Sequence, residues 1–243
     1  MEVYLNRIDG WDDAILSMFY SKRTITREFE EHVRDIVWLD TEDNPSRGTI
    51  GSLTSLSDEL AEWLDILFKW CPRHITMGRF IDFSFTVYGL HRAGQDDWDA
   101  HAKRFDNRII RSSTRLANFG LGEMSDYYRD KIIPTDQALD ILSIKVPGEI
   151  EFNGKTYVKG VNGYVLKGME DNKDVKRGLY MLSIPSNFIF KVNLTEFAHV
   201  YKERNKEGSA NPEVKECCEK CVDLLTVASR GYINRDLLKE IRN

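Results

Sequence analysis

Between His101 and Arg115 the chain reads His-Ala-Lys-Arg-Phe-Asp-Asn-Arg-Ile-Ile-Arg-Ser-Ser-Thr-Arg, which gathers Lys103, Arg104, Arg108, Arg111 and Arg115 into one short run. If this run is helical, the arginines recur at spacings of four, three and four and share one face. Like charges at those spacings repel, so something anionic is expected to compensate them, from a carboxylate partner to a bound phosphate. The chain as a whole carries a net charge of -5 and a pI near 5.6. Nucleic-acid coats rely on broad positive surface, so the run suits a small anionic ligand better than a long polyanion, and no nucleic-acid partner is expected.

A second constellation lies towards the C-terminus: Arg177, Asn193 and Arg204. Eleven residues separate Asn193 from Arg204, which on a helix is three turns plus about 20 degrees, so both point the same way. An arginine at a helix end also complements the negative pole of the helix, and that reading stands beside the ligand-binding one. No serine-histidine-acid or cysteine-histidine arrangement, no glycine-rich phosphate loop and no His-Glu-x-x-His is present. Of the cysteines Cys71, Cys217, Cys218 and Cys221, the pair Cys218 and Cys221 matches Cys-x-x-Cys. No second pair or nearby histidine completes a zinc set, so thiols on a partly buried helix are expected and no metal is. The N-terminus has no apolar signal core, and no stretch approaches the ~18 apolar residues of a membrane span, so a cytoplasmic, membrane-free protein is expected.

These residues need elements to hold them. Residues 24–40 read as a helix on Phe29, Val33, Ile36 and Val37. Ser55, followed by Asp58, reads as the start of another, carrying Leu60, Trp63, Leu64, Leu67 and Trp70 to a stop at Cys71-Pro72. Phe80 to Tyr88 reads as a strand. The pattern is irregular from Leu121 to about Ile144. Residues 149–166 alternate around Asn153-Gly154 and Asn162-Gly163, predicting short strands joined by turns. Met169 to Asp174 is a polar connector, and Ile184 to Val192 reads as extended. Leu194–Lys202 and Val214–Ala228 have helical periodicity, and Asn234 caps a final helix. With 243 residues and no evident linker or repeat, one large domain or a compact two-lobed one is expected.

The separations of these motifs resemble the flavin-dependent thymidylate synthases, the ThyX or thymidylate synthase complementing family. That family carries a C-terminal asparagine and arginine at this spacing on a helix lining the flavin and nucleotide sites. A nucleotide-contacting arginine stands sixteen residues before the asparagine, as Arg177 stands before Asn193. Ala210-Asn-Pro-Glu213 is similar to the family's alanine-x-x-glutamate continuation, and His74-Ile-Thr76 to its histidine-x-threonine segment at the flavin site. Ser113-Thr-Arg115 matches the serine-x-arginine half of its signature, with Lys103-Arg104-Phe105 in place of arginine-histidine-arginine. Arg79 stands where most members have glutamate. The resemblance covers roughly residues 2–120 and 163–229.

The resemblance implies an α+β fold with a mixed sheet flanked by helices. It further implies a single domain over residues 1–243 and a homotetramer whose flavin sites combine several subunits; the chain departs from the family at about 145–166, where a hairpin-like insertion replaces a segment that is usually helical. It implies methylation of dUMP to dTMP with FAD as cofactor and NADPH and methylenetetrahydrofolate as co-substrates. The alternatives are a same-fold flavoenzyme acting on UMP or dCMP, by methylation or hydroxymethylation, and a non-catalytic nucleotide-binding homologue. By the same resemblance Ser113, Thr114, Arg115, Arg177 and Arg204 bind the nucleotide. Arg204 is also the catalytic residue, favouring negative charge on a pyrimidine carbonyl. His74, Thr76, Lys103, Arg104 and Asn193 contact the flavin. His199 occupies a flavin-contacting position with a different residue type, and a packed, hydrogen-bonded histidine is the alternative there.

Overall fold

The computed structural model describes residues 1–42, 49–100, 107–112, 124–160, 162–172, 175, 178–179, 181–206 and 211–241. Its centre is a four-stranded sheet in the order β1 (Glu2–Asp9), β4 (Asp82–His91), β9 (Pro185–Asn193) and β5 (Asn107–Arg111). The expected mixed sheet is instead antiparallel in each of these ladders. The parallel contact described here is an isolated bridge from Arg7 to Ile50.

One face of the sheet builds the core. Leu5 and Ile8 from β1, Phe83, Phe85 and Val87 from β4, and Phe188, Phe190 and Val192 from β9 are all buried. Phe85 stacks on Phe190 with centroids 5.0 Å apart. Side chains of this size contribute about 1.5–3 kcal/mol each on full burial, so this face is the main source of the sheet's stability. Covering it are α5 (Arg92–Ala100), α8 (Leu194–Asn205) and α9 (Pro212–Ala228). Trp98 of α5 lies 5.0 Å from the Phe190 ring, and Phe197 of α8 stacks on Phe85 at 5.9 Å.

The remaining helices are α1 (Trp11–Tyr20), α2 (Arg27–Asp40), α3 (Asp58–Trp70), α4 (Ile75–Gly78), α6 (Asp126–Arg129), α7 (Thr135–Ile141) and α10 (Arg235–Glu240). Gly10 lets β1 turn straight into α1: its φ is 81°, and a Cβ there would fall 1.9 Å from the Phe80 carbonyl oxygen. The helices predicted over 24–40 and after Ser55 form, but the second is capped two residues later, by Ser57, whose hydroxyl accepts from Leu60 N at 3.3 Å. Ser55 instead donates to Asp40 at 2.5 Å. This correction follows from Asp40, a buried carboxylate that also takes the Ser57 N–H at 2.8 Å and its hydroxyl at 2.7 Å.

Residues 149–166 form the expected turn-linked strands, β6 (Glu149–Phe152), β7 (Lys155–Gly160) and β8 (Gly163–Leu166), in a separate antiparallel sheet. The short pair β2 (Thr41–Glu42) and β3 (Ser52–Leu53) makes a third. Asn234 caps α10 as expected, accepting from Asp236 N and Leu237 N, each at 3.0 Å. Among the described residues, no helix is long and apolar enough to cross a membrane.

Candidate functional site

The basic run does not continue as a helix. Residues 107–111 are the strand β5, paired with β9 from Asn107↔Val192 to Arg111↔Phe188. The shared-face argument for the arginines therefore fails over this segment. Arg111 has protein partners: Nη1 donates to Asp96 at 2.5 Å, and Nη2 to Asp99 at 3.0 Å and to the Gln95 carbonyl at 3.1 Å. The carboxylate compensation expected for the run is thus supplied to Arg111 by α5. Lys103, Arg104, Ser113, Thr114, Arg115 and Arg177 lie outside the described residues.

The remaining expected residues are organised by α8. Strand β9 passes directly into this helix, and Asn193 is the residue at the junction. It pairs with Asp82 in the sheet, and its side-chain oxygen accepts from Glu196 N at 2.9 Å, satisfying one of the free N–H groups at the helix start. The segment before β4 is pinned to the same helix end. Thr195 Oγ1 donates to the Ile75 carbonyl at 2.8 Å, and Leu194 N donates to Ile81 O at 2.8 Å. His74 and Thr76 are exposed on this pinned segment, with the His74 ring tilted against Trp70 at 5.7 Å. Three residues expected at the flavin, His74, Thr76 and Asn193, therefore gather around one helix terminus.

Arg204 stands at the other end of α8, eleven residues on, which is about 16 Å along the axis. Both Asn193 and Arg204 are buried, at 5% and 4% exposure. His199 is half-buried and lies about 240° round the helix from Asn193, against about 20° for Arg204, so it is on a different side. Arg204 occupies an unusual environment. Its Nε and Nη2 atoms are buried without a hydrogen-bond partner. Burial works against its charge, while Asp97, Cys218 and Glu203 favour it, and the net effect holds the guanidinium below the usual arginine range. A buried cation with idle donors is costly, and an acceptor-bearing ligand relieves that cost.

A nearby pair escaped the sequence reading. His91, at the end of β4, is fully buried and its Nδ1 meets Glu213 Oε2 at the start of α9. Asn211 caps α9 by accepting from Glu213 N at 2.9 Å and donates to the Tyr128 hydroxyl at 3.3 Å. The Tyr128 ring stands edge-on to His91 at 4.9 Å. Burial raises the Glu213 carboxyl, but the hydrogen bond and charge of His91 outweigh it and hold the group below its ordinary range. Glu213 had drawn notice through its family motif; His91 carried no local signal, because its partner lies 122 residues away.

Cys217, Cys218 and Cys221 are buried on α9, more deeply than expected. Burial pushes Cys71 up to about 12 and Cys218 and Cys221 well above the ordinary thiol range, so none is a ready nucleophile.

No protein-family model matches the chain, and no curated protein matches it in sequence. Solved structures do resemble it. Flavin-dependent thymidylate synthase ThyX from Helicobacter pylori, complexed with FAD and dUMP, superposes with a TM-score of 0.57 at 14% identity, covering 98% of this chain and 100% of that one. A second structure of the same enzyme with FAD and dUMP gives the same score and identity. The UMP/dUMP methylase PolB from Streptomyces cacaoi, bound with 5-Br dUMP, superposes with a TM-score of 0.54 at 11% identity, covering 95% and 92% of the two chains. At these identities the likeness establishes the fold: this chain is built on the α+β architecture of the ThyX thymidylate synthases.

Proposed function

We propose that the chain is a divergent flavin-dependent pyrimidine-nucleotide methylase that converts dUMP to dTMP with methylenetetrahydrofolate and NADPH. The observation that carries this reading is the buried Arg204 guanidinium, whose Nε and Nη2 have no hydrogen-bond partner, on a helix capped by Asn193, within a fold whose solved neighbours hold FAD and dUMP. The described residues fit such a cofactor, because His74 and Thr76 present exposed polar groups at the start of α8. Bound FAD would supply the redox chemistry and the one-carbon relay, leaving the protein to bind, orient and stabilise. In this reading His74, Thr76, Asn193, Lys103 and Arg104 hold the flavin, with His199 a further contact. Ser113, Thr114, Arg115 and Arg177 grip the nucleotide, where planar guanidinium forks suit a phosphate. Arg204 donates to a pyrimidine carbonyl and stabilises the negative charge that develops there as C5 becomes nucleophilic. Residues 1–243 act as one domain with β6–β8 inserted, assembled as a homotetramer that completes each site.

A second reading, methylation of UMP, is favoured by the likeness to a UMP/dUMP methylase. Flavin titration of the purified chain tests both. Bound yellow flavin and nucleotide-dependent NADPH oxidation are expected, with product mass separating dTMP from methylated UMP. A colourless chain that takes up no FAD at micromolar concentration yet binds dUMP would refute the enzyme reading and leave a nucleotide-binding module.

A further inference from the structure

The inner face of the central sheet is covered by α5, α8 and α9. Its outer face carries a hollow of about 370 Å³ between β1 and β4, lined by Glu2, Tyr4, Asn6, Thr86 and Tyr88. Two irregularities shape it. The β1–β4 register shifts between Leu5 and Arg7, and the β4–β9 register shifts between Val87 and Leu90. Bulges of this kind bend a strand and re-aim its side chains. Gly89, at φ 83°, permits the second one, and its N–H donates to Asn187 Oδ1 at 3.1 Å. Tyr4 stands opposite Thr86 and Tyr88 opposite Glu2, so the two tyrosines are diagonal neighbours on one face. Their rings meet at 84° with centroids 5.8 Å apart and form two walls of a corner. The Tyr4 hydroxyl donates to Glu2 Oε2 at 3.0 Å, which holds the carboxylate beside the ring. Asn6 Nδ2 donates to Thr86 Oγ1 at 2.9 Å. Both rings stay about half exposed, Tyr4 at 50% and Tyr88 at 45%.

We propose that this corner binds an alkylated ammonium group. The face of an aromatic ring is negative and attracts a cation lying within about 6 Å of its centroid. Two rings at a right angle meet one cation together, and Glu2 supplies the opposite full charge. An unalkylated ammonium is strongly hydrated, and an open site gives it little in exchange for its water. N-methyl groups hold less water and lie flat against the rings. Among the described residues, the lysines and arginines set over rings stand over Trp70, Phe19, Phe29 and Tyr127, away from this corner. A diagonal tyrosine pair also stabilises a sheet by itself, but that role predicts no preference for a charged ligand. The hollow lies on the opposite face of the sheet from the helix that carries Arg204, so this assignment stands or falls independently of the flavin reading.

The test is saturation-transfer NMR of the full chain with choline and with 3,3-dimethylbutanol, in which carbon replaces the charged nitrogen at the same shape. Choline is expected to bind at millimolar concentration and at least threefold more tightly than the alcohol, since each exposed ring face is worth about two- to fivefold. Tyr88→Leu should weaken choline by about two- to fivefold, while Tyr88→Phe, which keeps the ring, should match the wild type. Glu2→Gln should also weaken choline and leave the alcohol unchanged. A peptide bearing trimethyllysine offers the same head group from another source. Binding at least tenfold tighter than choline assigns the site to a methylated partner chain, and a smaller difference assigns it to a free small cation. A choline preference below threefold, or no transfer to choline or the peptide at millimolar concentration, overturns the assignment. The comparison with the alcohol needs no mutation, so it decides the case even where a variant fails to fold.

Discussion

Replacing Arg204 by methionine is expected to move stability and function in opposite directions. The guanidinium is 4% exposed and has two buried nitrogens, Nε and Nη2, without partners. Each idle buried donor costs about 1–3 kcal/mol. Methionine keeps the aliphatic stem and removes the donors, at a repacking cost of about 1–2 kcal/mol. Exposed Asp97 returns little of the cost, since attraction to a solvent-facing carboxylate is worth less than about 1 kcal/mol. The net expectation is a ligand-free protein more stable by about 1–4 kcal/mol, the range seen when buried charge gives way to apolar groups. For a chain of this length that raises Tm by about 2–4 °C per kcal/mol. Nucleotide should show the opposite sign. Wild-type protein at a dUMP concentration of 100 times Kd gains about 2.7 kcal/mol in urea unfolding, and Arg204→Met should gain little at the same concentration. Turnover should fall about 10²–10³-fold if the donor stabilises developing charge. If Arg204→Met instead unfolds more easily than the wild type without ligand by over 1 kcal/mol, the guanidinium is satisfied within the protein and the argument from its idle donors fails.

Two further perturbations probe the surrounding framework. Glu213→Gln breaks the buried pair with His91 and should cost about 3–5 kcal/mol. Because the folded Glu213 carboxyl is held below its ordinary 4.5, its contribution is fully present above that value. It disappears as pH falls through the depressed folded value. Wild-type stability should therefore drop more steeply in acid than that of Glu213→Gln, and parallel urea midpoints from pH 6 to 3 would contradict this. All four cysteines are buried, so a thiol reagent should label none rapidly in the native protein and all four after unfolding; one fast-reacting native thiol would be inconsistent with the packing of α3 and α9.

Much of the fold was legible where the signal is local. The stripe from Leu60 to Trp70, the periodicity of Leu194–Lys202 and Val214–Ala228, and the turn pairs at Asn153-Gly154 and Asn162-Gly163 each became the expected element. Backbone geometry and side-chain spacing decide such segments within a few residues of themselves. Strand β1 was not legible, because a register shift between Leu5 and Arg7 places its buried residues, Leu5 and Ile8, three apart and breaks the two-residue alternation. Residues 107–111 carry the same arginine spacing whether helical or extended. Only pairing with β9 some eighty residues later makes them a strand.

For the site, the sequence by itself determined which chemistry is on offer: guanidinium groups in the right order, no nucleophile of familiar type, and no complete metal set. It determined that Asn193 and Arg204 share a helix face, since that follows from helical pitch alone. Tertiary structure decided the state of those groups. Arg111 is neutralised by Asp96 and Asp99, Arg204 is buried with idle donors, and His91 is held by Glu213. Charge and burial depend on which surfaces the packed helices α5, α8 and α9 bring together, and no spacing along the chain encodes a contact made across more than a hundred residues.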